Sequence, residues 1–249
     1  MRIDVQFGPS NGASSSLITG RVVAVVDVLR ASTTIAAALA NGAKKVVPLE
    51  SADEVITRAK HLDRSEVRMA GERKMLPIPG FDFGNSPREV TREAVEGKTV
   101  FLTTTNGTAA LVGIQGARDV VVASYVNLEA VATLLRTAAR GGTDITIICA
   151  GRDRQFSLED AACAGRLASE VAKRVPGAEL SDGAFACTVI DRQYGDRLDQ
   201  LFADSEHGQA LKQAGFAEDL LVCASVDVFP VIPLYQDRQI TLLGPDRER

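Results

Sequence analysis

Tryptophan is absent from this chain of 249 residues, and histidine occurs only twice. The shortage of histidine excludes the most chemistry. His61 stands in the helix-like run Thr57-Arg58-Ala59-Lys60-His61-Leu62 and His207 in Glu206-His207-Gly208, neither beside a nucleophile or a metal ligand. Ser-His-Asp hydrolysis, phosphohistidine chemistry and histidine-rich zinc or dimetal sites are therefore not expected. Positive charge is in deficit as well: 28 Lys and Arg against 32 Asp and Glu give a formal charge of −4. Binding nucleic acid needs a basic field, so no nucleic-acid partner is expected. Long hydrophobic runs are missing too. Residues 22–26 are apolar but stop at Asp27, far short of the roughly 20 residues that span a bilayer. The start, Met1-Arg2-Ile3-Asp4, alternates like a strand and lacks the layout of a signal peptide. The expectation is a cytoplasmic protein with no membrane partner. Its four cysteines, Cys149, Cys163, Cys187 and Cys223, form no C-x-x-C pair and read as reduced core thiols.

What is present is the alternation of apolar runs and helical patterns that marks stacked βα units and a mostly parallel sheet. Strands are expected at residues 3–7, 22–28, 45–49, 67–70, 99–103, 120–124 and 144–150, several apolar on both faces as a helix-covered strand should be. Ser51 with Glu54 and Ser157 with Asp160 fit the capping box, Ser86-Pro87 reads as an N-cap with Pro at the first helical position, and Asn127 precedes a helix at 128–140. Gly42, Gly97 and Gly141 supply left-handed stops. Beyond Pro176, helices are expected at 182–194, 198–202, 206–214 and 219–225. The alternating tail at 231–243, with Pro230 and Pro233 in or beside it, reads as edge strands. No linker or repeat divides the chain, so one domain over 1–249 is expected. The apolar stretch Val226-Asp227-Val228-Phe229-Pro230-Val231-Ile232 makes a homodimer possible.

Ligands of open α/β sheets bind beyond the carboxyl ends of the strands. Four segments fall there. In Asp27-Val28-Leu29-Arg30-Ala31-Ser32-Thr33-Thr34, a carboxylate interrupts a buried strand, Arg30 follows, and the hydroxyls of Ser32, Thr33 and Thr34 open a helix. Such a start suits a phosphate, although Ser32 also reads as a plain N-cap. A carboxylate among valines is costly without a partner or a metal. Thr103-Thr104-Thr105-Asn106-Gly107-Thr108 repeats the design, with Gly107 allowing close backbone approach. The aperiodic stretch from Met69 to Pro87 offers Arg73 and Lys74 for an anion, Glu72 as a metal ligand or base, and Asn85 and Ser86 to orient a ligand. In the last segment, Gly151, Arg152, Asp153 and Arg154 lead to Glu159 and Asp160, which either complement the helix dipole or serve a metal or a water.

No G-x-x-x-x-G-K-[ST] and no G-x-G-x-x-G is present, and residue 29 is leucine, so there is no D-x-D pair at the first strand end. The segments Val26-Asp27-Val28-Leu29-Arg30-Ala31-Ser32-Thr33-Thr34, Ala70-Gly71-Glu72-Arg73, Phe83-Gly84-Asn85-Ser86-Pro87, Thr103-Thr104-Thr105-Asn106-Gly107-Thr108 and Cys149-Ala150-Gly151-Arg152 resemble, in order, the motifs of the 2-phosphosulfolactate phosphatase family. One departure is the run at 31–34, where relatives often carry only threonine.

The resemblance implies a three-layer α/β/α sandwich with a mixed, mostly parallel β-sheet, and a Mg²⁺-dependent acid phosphatase that converts 2-phosphosulfolactate to sulfolactate and phosphate, a step toward coenzyme M. That substrate carries three anionic groups, which Arg30, Arg73, Lys74, Arg152 and Arg154 would meet. Asp27 is the first choice of Mg²⁺ ligand, with Glu72 and Glu159 or Asp160 behind it. Asp27, Arg30, Glu72 and Arg152 are the expected catalytic residues. Ser32, Thr33, Arg73, Asn85, Ser86, Thr104, Thr105, Asn106, Gly107, Gly151 and Arg154 are the expected substrate contacts. In-line attack by water is the simplest mechanism, with an aspartyl-phosphate on Asp27 as the alternative. Two other functions remain open: hydrolysis of another small phosphorylated acid, and non-catalytic binding of such an acid.

Overall fold

The computed structural model describes residues 1–8, 15–153 and 155–244. The chain runs β1 (Arg2–Gln6), β2 (Val22–Val26), α1 (Ala31–Ala40), β3 (Lys45–Pro48), α2 (Ala52–Ala59), β4 (Val67–Arg73), β5 (Leu76–Pro77), α3 (Arg92–Val95), β6 (Thr99–Thr103), α4 (Gly107–Val112), β7 (Asp119–Ala123), α5 (Leu128–Arg140), β8 (Ile145–Cys149) and α6 (Leu158–Ala172). A short β9 (Glu179–Leu180) then leads into α7 (Asp182–Tyr194), α8 (Leu198–Asp204), α9 (Glu206–Gln213) and α10 (Ala217–Cys223). The hairpin of β10 (Pro233–Gln236) and β11 (Gln239–Leu242) follows.

The fully buried β2 shows why the sheet carries helices on both faces. Val22, Ala24 and Val26 pack with Leu135 of α5 and Leu167 of α6 in one core, whereas Val23 and Val25 pack with Ile35 and Leu39 of α1 in the other. Alternate side chains of a strand point to opposite faces, and each fully buried Val or Leu contributes roughly 1.5–3 kcal/mol. Helix α2 covers Val47, Val67 and Phe101 in a third, smaller cluster. The architecture is thus the expected three-layer α/β sandwich about a mixed, mostly parallel sheet.

Strand order is β5-β4-β6-β3-β11-β10-β7-β2-β8-β1-β9. The tail is therefore not at an edge. Its hairpin lies between β3 and β7, antiparallel to both, and joins two parallel blocks into one sheet. Alternation reads the same for an edge and a central strand. Pro233 is tolerated because it is the first residue of β10, where its missing N–H interrupts no ladder. Of the apolar stretch before the hairpin, Phe229 and Ile232 pack on the protein's own cores, while Val226 and Val228 are exposed.

Several local expectations change. Ser51 and Ser157 do cap α2 and α6, accepting from the N–H of Glu54 and Asp160 at 3.2 and 3.4 Å. Gly42 and Gly97 are left-handed, but Gly141 has φ −76° and it is Gly142, at φ 81°, that makes the stop after α5. No helix starts at Pro87: Ser86 Oγ accepts the Arg88 N–H at 3.3 Å, but only a turn follows, and α3 begins after Thr91. Strand β2 ends at Val26, where Asp27 turns the chain. Strand β4 extends through Glu72 and Arg73, and it pairs with β5 across a turn that holds Lys74 at φ 52° and Met75 at φ 70°. The last helix spans 217–223 rather than 219–225.

Candidate active site

A cleft of about 430 Å³ opens beyond the carboxyl ends of β2, β4, β6 and β8. It is lined by Asp27, Arg30, Glu72, Arg73, Lys74, Asn85, Thr104, Thr105, Asn106, Arg152 and His207, together with Leu29, Met75 and Asp153. The sheet thus gathers most of the sequence-derived candidates in one place.

Asp27 lies on the buried side of this cleft. Its Oδ1 accepts the Ala31 N–H at 3.2 Å, its N–H is donated to Ser32 Oγ, and its carbonyl accepts the Ser32 N–H, so the residue caps the start of α1. Burial pushes its carboxyl up to about 6; the His207 charge and the Ala31 N–H pull it down, while Glu72 and Glu159 push it up. Gly107 sits directly against it: a Cβ there would lie 2.6 Å from Asp27 Oδ2 and 2.7 Å from the Ala31 Cβ. Only glycine lets α4 approach α1 this closely.

Glu72 is buried at the end of β4, its two oxygens accepting the N–H groups of Thr105 at 2.7 Å and Met75 at 2.8 Å. It thereby fixes the loop after β6 and the turn after β4 around one carboxylate. Arg73 donates to its neighbour's carbonyl, that of Glu72, and to Thr103 Oγ1. Arg152 is half-buried, 3.9 Å from Glu206. Gly151 takes φ 69°, where a Cβ would meet the Gln155 carbonyl at 2.3 Å, and donates its N–H to Asp160. Arg154 lies outside the described residues.

Other candidates are held differently from the sequence-based picture. Helix α1 is buried from Ala31 to Leu39, so its hydroxyls turn inward: Thr33 donates to the Val28 carbonyl and shares a 2.7 Å bond with Ser124, and Thr34 donates to the Asn85 carbonyl. Ser32, Thr33 and Thr34 do not line the cleft. Thr104 and Thr108 bond each other's backbone at the start of α4, and Asn106, expected as a substrate contact, lines the cleft while its Oδ1 accepts the Asp153 N–H. Asp160 lies below the cleft. Its oxygens accept the N–H groups of Val28 and Gly151, linking the turns after β2 and β8, and burial, with Glu159 and Asp27 adding, pushes it well above the ordinary carboxylate range. Glu159, also buried, meets His207 Nδ1 at 3.2 Å; burial pushes its carboxyl up, and His207 together with hydrogen bonds from its own backbone N–H and from Ser157 brings it below the ordinary value.

Two residues of the site carry no local signal. His207 stands beside no ligand or nucleophile in sequence, yet α9 brings it to the cleft wall against Glu159, 48 residues away in the chain. Asp219 of α10 is fully buried and binds Arg30 Nη1 at 2.6 Å and the Ser86 hydroxyl at 2.6 Å. In sequence it is merely an acid in a helical first turn.

Among the described residues, no three of His, Cys, Asp and Glu converge as a closed metal cage. Mg²⁺ does not need one, since it takes one or two carboxylates and completes its shell with water and phosphate oxygens. The donor set of Asp27 and Glu72, with the buried Asn85 Oδ1 that has no partner among the described residues, is all oxygen and fits such an ion.

A cleft at the strand ends of an α/β sheet, lined by the buried acids Asp27 and Glu72 and by the basic side chains of Arg30, Arg73, Lys74 and Arg152, has the chemistry that suits a small anion. The chain belongs to the 2-phosphosulpholactate phosphatase family, whose model matches residues 10–238, and the enzyme is accordingly a phosphoric monoester hydrolase. It is 42% identical to a probable 2-phosphosulfolactate phosphatase of Symbiobacterium thermophilum over 226 residues, 91% of this chain and 96% of the relative. A Clostridium perfringens protein of the same name is 38% identical over 242 residues, 96% of each chain. One from Carboxydothermus hydrogenoformans is 39% identical over 233 residues, 94% and 92% of the two chains. No helix among the described residues is long and apolar enough to cross a membrane.

Proposed function

We propose that the protein hydrolyses 2-phosphosulfolactate to sulfolactate and phosphate in a Mg²⁺-dependent reaction, a step toward coenzyme M in the cytoplasm. The observation that carries this reading is the buried Asp27 carboxyl facing four cationic side chains across one cleft. The four cysteines, all buried and free, suit a reducing compartment.

Asp27 and Glu72 would hold the ion, with Asn85 beside them. Mg²⁺ bound there would draw charge from the phosphoryl oxygens and favour attack by water in line with the leaving oxygen. The chain's own residues supply the rest. Arg30 and Arg152 pair with the phosphoryl group, and fixed guanidinium groups stabilise charge that grows in the transition state. Arg73 and Lys74 meet the sulfonate and carboxylate. His207, held through Nδ1 by Glu159, keeps its second ring nitrogen to protonate the departing alkoxide. Asp160 stays beneath as a backbone latch.

Phosphate release should be measured from 2-phosphosulfolactate, phospholactate and phosphoglycolate, each with Mg²⁺. A site whose cations meet a sulfonate discriminates against ligands lacking it, by about 10²-fold or more in kcat/KM. Equal rates on all three would assign the protein to another small phosphorylated acid. No release from any of them would leave it a binder.

A further inference from the structure

We infer that Asp219 is a positioning residue for the phosphatase reaction, aligning Arg30 and the Asn85-Ser86 loop on the cleft. This rests on the hydrolytic reading of the site given above. The geometry is unusual for a helix-start acid. Arg30 and Asp219 pair at 2.6 Å with each side chain only 2% exposed, and the second Asp219 oxygen takes the Ser86 hydroxyl at 2.6 Å. One carboxylate thus ties together two cleft loops that are 189 and 133 residues from it in sequence. Arg30 is constrained from two further sides: Nη2 donates to the Met75 carbonyl at 3.0 Å, and the Phe216 ring lies 4.3 Å from the guanidinium carbon. With one N–H on Asp219 and one on Met75, the planar fork is held in a single orientation where Arg30 lines the cleft. Ser86 carries the effect onward to Asn85, whose carbonyl is pinned by Thr34 and whose side chain lines the cleft.

A buried ion pair is a poor way to gain stability, since desolvation offsets most of its attraction. Holding a catalytic guanidinium in one orientation is a role that repays it. The C-terminal helices therefore complete the site: α9 adds His207 to the cleft lining and α10 supports that lining from behind through Asp219, while the other lining groups come from the first 153 residues.

Asp219→Asn is nearly isosteric. The amide oxygen can still accept from Arg30 and the amide N–H can donate to Ser86, so the loops stay together while the charge that fixes the fork is lost. Kinetics on 2-phosphosulfolactate, calorimetric titration with inorganic phosphate in Mg²⁺, and thermal melting would be run on the wild type, Asp219→Asn and Ser86→Ala. Misplacing a reacting group by about 1 Å costs about 10²-fold, so kcat per folded Asp219→Asn molecule should fall about 10²-fold and the phosphate Kd should rise about 10-fold. Ser86→Ala, which keeps the ion pair, should lose about 10-fold in kcat and melt near the wild type. Rates and phosphate affinities within about 3-fold of wild type in the folded variants would overturn the inference. Tighter phosphate binding by Asp219→Asn would also overturn it, because Asp219 would then be competing with the ligand for Arg30. If Asp219→Asn does not fold, Ser86→Ala decides by the same criteria. If the wild type releases no phosphate from any ester, the hydrolytic reading fails, and the phosphate titrations alone decide the role of Asp219.

Discussion

Replacing Asp27 by Asn should raise the melting temperature of the metal-free protein at pH 8 by roughly 6–12 °C. The folded protein holds the Asp27 proton more tightly than an unfolded chain does, about 6 against 3.8, because burial disfavours the anion. A group whose folded value is raised favours the folded state when protonated. The wild type is therefore best supplied with this term near pH 4, loses it as pH rises toward 6, and lacks it entirely above. A difference of about two units corresponds to about 3 kcal/mol, which at roughly 2–4 °C per kcal/mol for a chain of this size gives the stated shift. Asparagine carries no charge at any pH, so the gain should vanish as pH falls to about 4. Mg²⁺ should stabilise the wild type more than Asp27→Asn, since an ion that binds the folded state adds to its stability. Melting curves between pH 4 and 8 with and without chelator check this. An Asp27→Asn protein that melts at or below the wild type at pH 8 would show that the carboxylate is not held at the expense of the fold.

Gly107→Ala should cost about 1–3 kcal/mol in urea unfolding and about 10²-fold in kcat. Alanine is ordinarily the better helix former by about 1 kcal/mol, and Gly107 begins α4 with no need for a left-handed backbone. Propensity alone thus predicts a stabler protein. The added methyl would meet Asp27 Oδ2 at 2.6 Å and Ala31 Cβ at 2.7 Å, and one of these must move. The carboxylate is the shorter path of retreat, which takes it off its Ala31 N–H and out of line with the cleft. A variant that is stabler than wild type and retains kcat within about 3-fold would mean that the loop after β6 does not pack on Asp27 as described.

How much of this was legible in the sequence depends on how local the cause is. Asp27 stands out because a charge among valines needs a reason, and the serine caps of α2 and α6 declare themselves three residues before their partners. The hydroxyls of Ser32, Thr33 and Thr34 were equally visible, but not their direction: a helix start that is open to ligands and one that is buried on all sides share the same residues. The tail's alternation located two strands yet not their neighbours, since β3 and β7 are chosen by the whole sheet. His207 and Asp219 were silent, because what makes them part of the site is the packing of α9 and α10 on turns that lie far away in the chain. The site's acids and arginines were thus readable where strands end, and its supports were not.

The most direct test of the account is phosphate release from 2-phosphosulfolactate by the wild type and Asp27→Asn, each assayed after chelation and again after Mg²⁺ is restored. The account predicts turnover only by the Mg²⁺-restored wild type, with Asp27→Asn slower by about 10³-fold or more although still folded. Undiminished turnover by chelated wild type, or by Asp27→Asn, would contradict it.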